Sequence, residues 1–338
     1  MSMKEYIEKS LSGENLTVGE ASSALELIMT NQATEAQIAG LLIALRAKGE
    51  SVDEVVGFAQ TMRRHAVRIH ADDPDAIDMC GTGGDALGTF NISTVATFVA
   101  AGAGVTVAKH GNKAVSSASG SADILQALGV NILIPPEKVA LCLNTVGVGF
   151  LFAPLFHPAM KFAAKTRMEL GVRTIFNMLG PITNPAGVQR QLIGTYHSTV
   201  AFHLAGALAV LHTGRACVIH SDNGMDEVSL SGDTSVFEVV AEQVSTYRVG
   251  PEQFGLRTLN GASMKGGDAL ENAKGALRIL DGEKSPQRDV VVANAAFGIY
   301  VAGKAATLAV GTLMAEESID SGRARGVLKN LVEFTERA

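Results

Sequence analysis

Two adjacent carboxylates, Asp226 and Glu227, follow the turn signal Asp222-Asn223-Gly224 in the stretch HSDNGMDEVSLSG, residues 220–232. Neighbouring acids of this kind suit Mg²⁺, a hard cation that takes oxygen ligands, keeps waters and bridges to a substrate phosphate. The D-x-[DN]-x-[DN]-G spacing of an EF-hand is absent. A second stretch offers a place for such a phosphate. Residues 80–94, CGTGGDALGTFNIST, hold four glycines together with Thr82, Asp85, Thr89, Asn91, Ser93 and Thr94. Glycines let a backbone adopt positive φ and bring its N–H groups close to an anion. The polar residues that follow can bond phosphate or ribose hydroxyls. A third stretch, KHGNKAVSSASGSAD (109–123), combines the positive charge of Lys109, His110 and Lys113 with the hydroxyls of Ser116, Ser117, Ser119 and Ser121. Taken singly, each is equally well a tight turn, a solvated strand end or a pair of exposed loop acids.

Several familiar chemistries are excluded. Gly81, Gly83 and Ala86 satisfy GxGxxA formally. A dinucleotide fingerprint, however, opens directly into a helix and has an acid at the end of the next strand, where this chain has Lys109-His110. No GxxxxGK[ST], GxSxG or HExxH is present. The eight histidines are scattered, and His157, His197, His203 and His212 read as structural. Cys80, Cys142 and Cys217 are isolated, with neither a CxxC pair nor an even-numbered disulfide framework, and read as reduced thiols.

The elements that must carry these stretches are legible. Residues 1 to about 70 read as helices, with three capping boxes at Thr17-Val18-Gly19-Glu20, Thr34-Glu35-Ala36-Gln37 and Ser51-Val52-Asp53-Glu54. From AIDMC (76–80) onward, short apolar runs alternate with helical stretches: GVTVAKH, SADILQALG, VGVGFLFA, RQLIGTYH, STVAFHLAGALAVLH and RACVIHS. That alternation predicts an α/β fold, a mainly parallel sheet with flanking helices, plus a smaller all-helical domain. Ser93 or Thr94 is expected to cap a helix starting near Val95. PAMKFAAKTRMELG (158–171) reads as one helix, with Pro at its first position and Gly at its end.

Composition agrees. The 338 residues are 47% hydrophobic and 18% charged, with 36 glycines. A net charge of −6 and no basic run longer than Arg63-Arg64 argue against a nucleic-acid partner. The N-terminus lacks the apolar core of a signal peptide. The most apolar run, Val95 to Ala108, is shorter than the ~18 residues a membrane span needs. A cytoplasmic protein with no membrane partner is expected.

In family order, CGTGGD, FNIST, KHGNKAVSSASGSAD, RTIFNMLGPITNPA and MDEVS resemble the anthranilate phosphoribosyltransferases of tryptophan biosynthesis, and the resemblance covers essentially the whole chain. One departure is visible: Lys113 stands where many members carry Arg, which keeps the charge but gives up the planar fork. The resemblance implies a helical domain of residues 1–70 with an inserted segment near 165–185, an α/β domain over 71–338, and a homodimer through the helical part. It implies transfer of phosphoribosyl from 5-phosphoribosyl 1-pyrophosphate to anthranilate, with Mg²⁺ as cofactor. The donor would be held by Gly81, Gly84, Asp85, Thr89, Asn91, Ile92, Ser93, Thr94, Lys109, His110, Gly111, Asn112, Lys113, Ala114, Val115, Ser116, Ser117 and Ser121. Anthranilate would be held by Gly81, Asn112 and Arg167, and the metal by Ser93, Asp226 and Glu227. No dedicated general base is expected, because an aromatic amine is already unprotonated at neutral pH. Two rivals share the plan: a pyrimidine-nucleoside phosphorylase, and a nucleic-acid-binding relative that has lost catalysis.

Overall fold

The computed structural model of the chain describes residues 1–85, 87–114, 118–261 and 263–338. Helices α1 (Met3–Leu11), α2 (Val18–Met29), α3 (Glu35–Lys48) and α4 (Val52–His65) pack into an N-terminal layer. The three capping boxes form as expected at Thr17, Thr34 and Ser51. Glu54 does more than cap. It is fully buried, and its carboxylate accepts Leu16 N at 2.9 Å, Ser51 N at 2.8 Å and Lys48 Nζ at 3.0 Å. One carboxylate thus fixes the start of α2, the end of α3 and the start of α4.

Beyond this layer lies a sheet whose order is β3-β2-β1-β4-β5-β6-β7 among the described residues. Strands β1 (Ile77–Gly81), β2 (Val107–Gly111), β3 (Val148–Phe152), β4 (Arg190–Gly194) and β5 (Arg215–Ser221) run parallel. Side chains alternate between its faces, as a period of two requires. Leu192, Cys217 and Ile219 join one core, while Ile193, Ala216 and Val218 join the other. Helix α5 (Ile92–Gly102) is buried almost all round. Two further helices, α6 (Ser121–Ala127) and α7 (Pro136–Val146), follow β2, and the short α8 (Ala153–Phe156) follows β3. Helices α9 (Lys161–Leu170) and α10 (Phe176–Ile182) lead back to the bundle, where α9 packs on α3 and α10 on α4. Helix α11 (Ser198–Val210) covers the bundle-side face. The other face takes α12 (Ala269–Leu280), α13 (Pro286–Val301), α14 (Leu308–Asp320) and α15 (Arg323–Arg337).

Three local expectations change. Helix α5 starts at Ile92, earlier than Val95, with Asn91 rather than Ser93 or Thr94 at its N-cap position. Residues Pro158–Met160 form a 3₁₀ turn ahead of α9, so 158–171 is not one continuous helix. The sheet also continues into an antiparallel hairpin, β6 (Thr234–Val240) and β7 (Gln243–Val249), which the sequence reading did not contain. Its two-residue turn is Ala241-Glu242, both with positive φ, so the Asn-Gly or Asp-Gly signal of such turns is missing. The described residues contain no helix long and apolar enough to cross a membrane. Cys80, Cys142 and Cys217 are free.

Strand order reverses between β1 and β4. After β1 the chain winds out through β2 and β3, and β4 then returns on β1's other side. Open α/β sheets bind ligands in the crevice beyond the carboxyl ends of the strands at such a switch point.

Candidate active site

Gly81 ends β1 and Gly194 ends β4, and the two are register partners. The loop after β5 lies directly on this pair. A Cβ on Gly81 would stand 2.4 Å from Asp226 Oδ2, and one on Gly194 would stand 1.6 Å from the Asp226 carbonyl oxygen. The two missing side chains are what lets Asp226 and Glu227 descend onto the switch point. Gly83 N then donates to Asp226 Oδ2 at 2.7 Å, and Ser93 N, in the first turn of α5, donates to Glu227 Oε1 at 3.0 Å. Asp226 is buried, and its pKa is driven up by that burial and by the neighbouring Asp85 charge. Burial and the Asp226 charge likewise push Glu227 up.

This concentration of negative charge fits a divalent cation. Asp85 Oδ1 accepts Leu87 N at 3.2 Å, but its Oδ2 is buried with no hydrogen-bond partner among the described residues. Carboxylates crowded in this way titrate upward unless a positive charge joins them. Among the described residues no three His, Cys, Asp or Glu side chains converge as ligands. Mg²⁺ characteristically binds through one or two carboxylates plus substrate phosphates rather than in an all-protein cage.

Lys109 is nearly buried and donates to the Met79 carbonyl at 2.7 Å. Its charge offsets part of the burial that raises Asp78 and Glu227. It is no solvated strand end but a cation placed beneath the loops. Asp78 is buried and pushed up to about 6 by that burial. It accepts His110 N at 3.2 Å and Asn184 Nδ2 at 2.8 Å. Asn91 ties the two polar loops together: its Nδ2 donates to the Ser119 carbonyl at 3.0 Å, and its Oδ1 accepts from Asn272 of α12 at 3.0 Å. The second loop is closed by Asp123, whose Oδ2 accepts Ala114 N at 2.8 Å and Gly120 N at 2.9 Å. Thr89 forms an isolated bridge with Lys265, so the segment around 264–266 roofs the first loop.

A cavity of about 550 Å³ opens beside this edge, lined by Gly81, Asn112 and Arg167 and by His110, His157 and Phe176. The Arg167 guanidinium lies over the Phe176 ring, 4.8 Å from its centroid. Burial lowers its pKa, and among the described residues it has neither a hydrogen bond nor an ion pair. The His110 and His157 rings stand 5.1 Å apart. Burial holds them down at about 3 and about 4, so both are neutral imidazoles at ordinary pH. Each leaves Nε2 without a partner among the described residues.

The comparisons fit this geometry. The helical bundle domain of the glycosyl transferase family matches residues 4–66, and its a/b domain matches residues 73–325. An anthranilate phosphoribosyltransferase of Moorella thermoacetica is 49% identical over 334 residues, 99% of this chain and 98% of that protein. The chain belongs to the anthranilate phosphoribosyltransferases. Among solved structures, that of anthranilate phosphoribosyltransferase from Thermus thermophilus superposes with a TM-score of 0.92 at 42% identity, covering 98% of this chain and 99% of that one. The Saccharomyces cerevisiae enzyme in complex with PRPP and Mg gives a TM-score of 0.91 at 29% identity, covering 99% of this chain and 98% of that one. The protein is thus a glycosyltransferase of the pentosyl-transferring kind.

In this phosphoribosyltransferase the sequence-predicted residues divide into groups. Gly81, Asp85, Ser93, Asp226 and Glu227 meet at the switch point, and Gly81, Asn112 and Arg167 share the cavity. Ile92 and Thr94 have buried side chains, leaving only backbone for a ligand. His110 turns into the cavity beside Arg167 rather than toward Asp226. A Cβ on Gly111 would meet Ser121 Oγ at 2.1 Å, so that glycine makes room for Ser121. Lys113 is exposed, and Val115, Ser116 and Ser117 lie outside the described residues. Two participants escaped the sequence reading. Gly194 carried no signal, because one glycine at a strand end is common. Arg173 donates to the Gly84 carbonyl at 3.0 Å and lies 4.1 Å from the Tyr196 ring centroid, while Arg46 of α3 donates to Arg173's carbonyl. It links bundle to glycine loop, and stood in plain sight as the first residue of the quoted run RTIFNMLGPITNPA.

Proposed function

We propose that the enzyme joins the phosphoribosyl group of 5-phosphoribosyl 1-pyrophosphate to the amine of anthranilate, releasing pyrophosphate. The observation that carries this reading is the crowded carboxylate pair at the switch point, next to a cavity whose half-buried Arg167 guanidinium has no ion-pair partner among the described residues. The carboxylate cluster suits a divalent cation and the guanidinium suits a carboxylate, and Mg²⁺ with these substrates would supply both. Incubation with the donor, Mg²⁺ and anthranilate should yield N-phosphoribosylanthranilate by mass spectrometry. Phosphorolysis of a pyrimidine nucleoside instead would overturn the reading.

Donor binding is assigned to the loops at 81–94 and 109–121, which follow β1 and β2 at the carboxyl edge, with the first turn of α5 contributing its dipole. Asp226 and Glu227, with Ser93, would hold Mg²⁺, which supplies charge stabilisation for the departing pyrophosphate. Lys109 offsets part of the burial that raises Glu227, so its charge works alongside the metal's in favouring the ionised carboxylate. Arg167 grips the acceptor's carboxylate and aims its amine at C1 of the ribose. The N–C1 bond forms as the C1–O bond to pyrophosphate breaks, and the amine proton passes to solvent. Placement and preorganised charge carry most of the acceleration.

Arg167→Ala should raise the anthranilate KM and leave donor binding nearly intact. Losing a charge-assisted contact costs about 1.5–3 kcal/mol. Arg167→Lys should recover only part, since a point charge lacks the fork. Steady-state kinetics with both substrates decide it, and unchanged anthranilate kinetics would place Arg167 outside the acceptor site.

Gly84→Val should abolish donor binding in calorimetry while thermal unfolding stays cooperative. Gly84 has φ +84°, a region closed to a β-branched residue, and its added Cβ would stand 3.3 Å from Arg173 Nη1. The block is thus expected through loop strain and displacement of Arg173, rather than by simply filling the pyrophosphate space. Normal donor affinity would refute it.

We further infer the two-part organisation implied above: residues 1–70 with 165–185 as the helical part, and 71–338 for the remainder. Homodimerisation through the helical part is supported by the exposed Leu11, Ile43 and Met168 on α1, α3 and α9, of which α3 packs on both others. Three free cysteines suit the reducing cytoplasm.

A further inference from the structure

A second cavity, of about 300 Å³, lies away from the carboxyl edge, between the two segments by which the chain passes between bundle and sheet. One passage, from α4 to β1, contributes Arg63, Arg68 and Ile69. The other, from α10 to β4, contributes Thr183, Asn184 and Gln191, all three buried. No acidic residue lines it. Arg63 Nε donates to the Ile182 carbonyl at 2.9 Å, and among the described residues the Arg68 guanidinium bonds only the Arg63 carbonyl, at 3.3 Å. Neither guanidinium has an ion-pair partner among the described residues. Their neighbour Arg64, by contrast, pairs with Glu26 at 3.4 Å. Burial and the charge of Arg68 hold the Arg63 pKa below its ordinary value. Two like charges have therefore been brought to one polar cavity without a counter-charge, an arrangement that a doubly charged anion relieves.

We propose that this cavity is a binding site for a phosphate group, gripped between Arg63 and Arg68. Phosphate suits the site better than a single carboxylate because its two negative charges match two guanidiniums. The cavity exceeds one phosphate in volume, so the group belongs to a small phosphorylated molecule whose hydroxyls donate to the side-chain oxygens of Asn184 and Gln191, the amide nitrogens being bonded within the protein. Bound there, it fastens the two passages to each other. At present Ile69 N to the Pro185 carbonyl, at 3.2 Å, and the Arg63 bond to Ile182 do so.

Inorganic phosphate titrated into the full-length protein tests the site, with backbone amide shifts of Arg68, Ile69, Gly187 and Val188 as the readout. These residues are remote from the loops at 81–94, so phosphate at the donor site is resolved separately. A saturable shift at these four amides is expected, weakened about tenfold or more by Arg68→Glu, since one charge-assisted contact has that scale. Arg68 is exposed and its loss leaves Arg63's bond to Ile182 in place, so the variant should fold; cooperative melting verifies it. Acetate at equal concentration should leave these amides unmoved. No saturable shift, an unchanged response in Arg68→Glu, or an equal response to acetate overturns the proposal.

Discussion

Replacing both acids at the switch point, Asp226→Asn with Glu227→Gln, should lower turnover about a hundredfold or more, the scale for removing one preorganised electrostatic group from a water-poor site. The same variant has a signature that needs no catalysis. Both carboxyls are driven upward, Asp226 by burial and the Asp85 charge and Glu227 by burial and the Asp226 charge. A carboxyl whose folded pKa exceeds its unfolded value binds more protons when folded. Its contribution to stability is therefore complete below the usual carboxylate range and is lost as pH rises toward neutrality. A divalent cation replaces the protons, so the rise in unfolding temperature on adding Mg²⁺ should be small at pH 5 and large at pH 8. In the double variant that difference should vanish, and the metal-free protein should lose less stability between the two pH values. Thermal melts at both pH values, with and without Mg²⁺, decide it. An Mg²⁺ stabilisation that survives the double substitution would place the metal elsewhere.

Gly194→Ala is the second large effect, and a single methyl produces it. The added Cβ would stand 1.6 Å from the Asp226 carbonyl oxygen and 2.5 Å from its carbonyl carbon. Both are backbone atoms, so no side-chain rotation relieves the clash. Either β4 gives way or the 222–228 loop lifts. Overpacking of this kind costs about 1–3 kcal/mol. A lifted loop also separates Asp226 from Gly83 N and Glu227 from Ser93 N, so activity should fall in parallel with Mg²⁺ affinity. Gly326→Ala is the control: nothing lies within 4 Å of its added Cβ and its φ is ordinary. It should melt at or above the parent temperature with full activity. Parent-like Mg²⁺ affinity and activity in Gly194→Ala would show that the acids do not depend on this seat.

How much of this was legible beforehand follows a physical line. Local chemistry writes itself into neighbouring residues. The capping boxes at Thr17, Thr34 and Ser51 formed because a cap and its partner are three residues apart, and nothing distant competes. The hairpin over 234–249 was missed because its turn holds Ala241 and Glu242 in a conformation usually marked by glycine or asparagine. The start of α5 shifted because Asn91 is bound to Ser119 and Asn272, a choice made by two remote segments.

By itself the sequence determined the alternation of strands and helices, the glycine and hydroxyl content of two loops, the adjacent acids, and through five ordered motifs the family. All of these are properties of short contiguous stretches. The tertiary structure alone decided which residues meet. Lys109 went beneath the carboxylates because alternation on β2 sends it to one face and His110 to the other. Arg173 reached Gly84 across 89 residues of chain. Gly194 became the seat of Asp226 because β4 returned beside β1, in a register that sets it against Gly81. Pairing of that kind is fixed by the burial of whole sheet faces, and no window of neighbouring residues contains it.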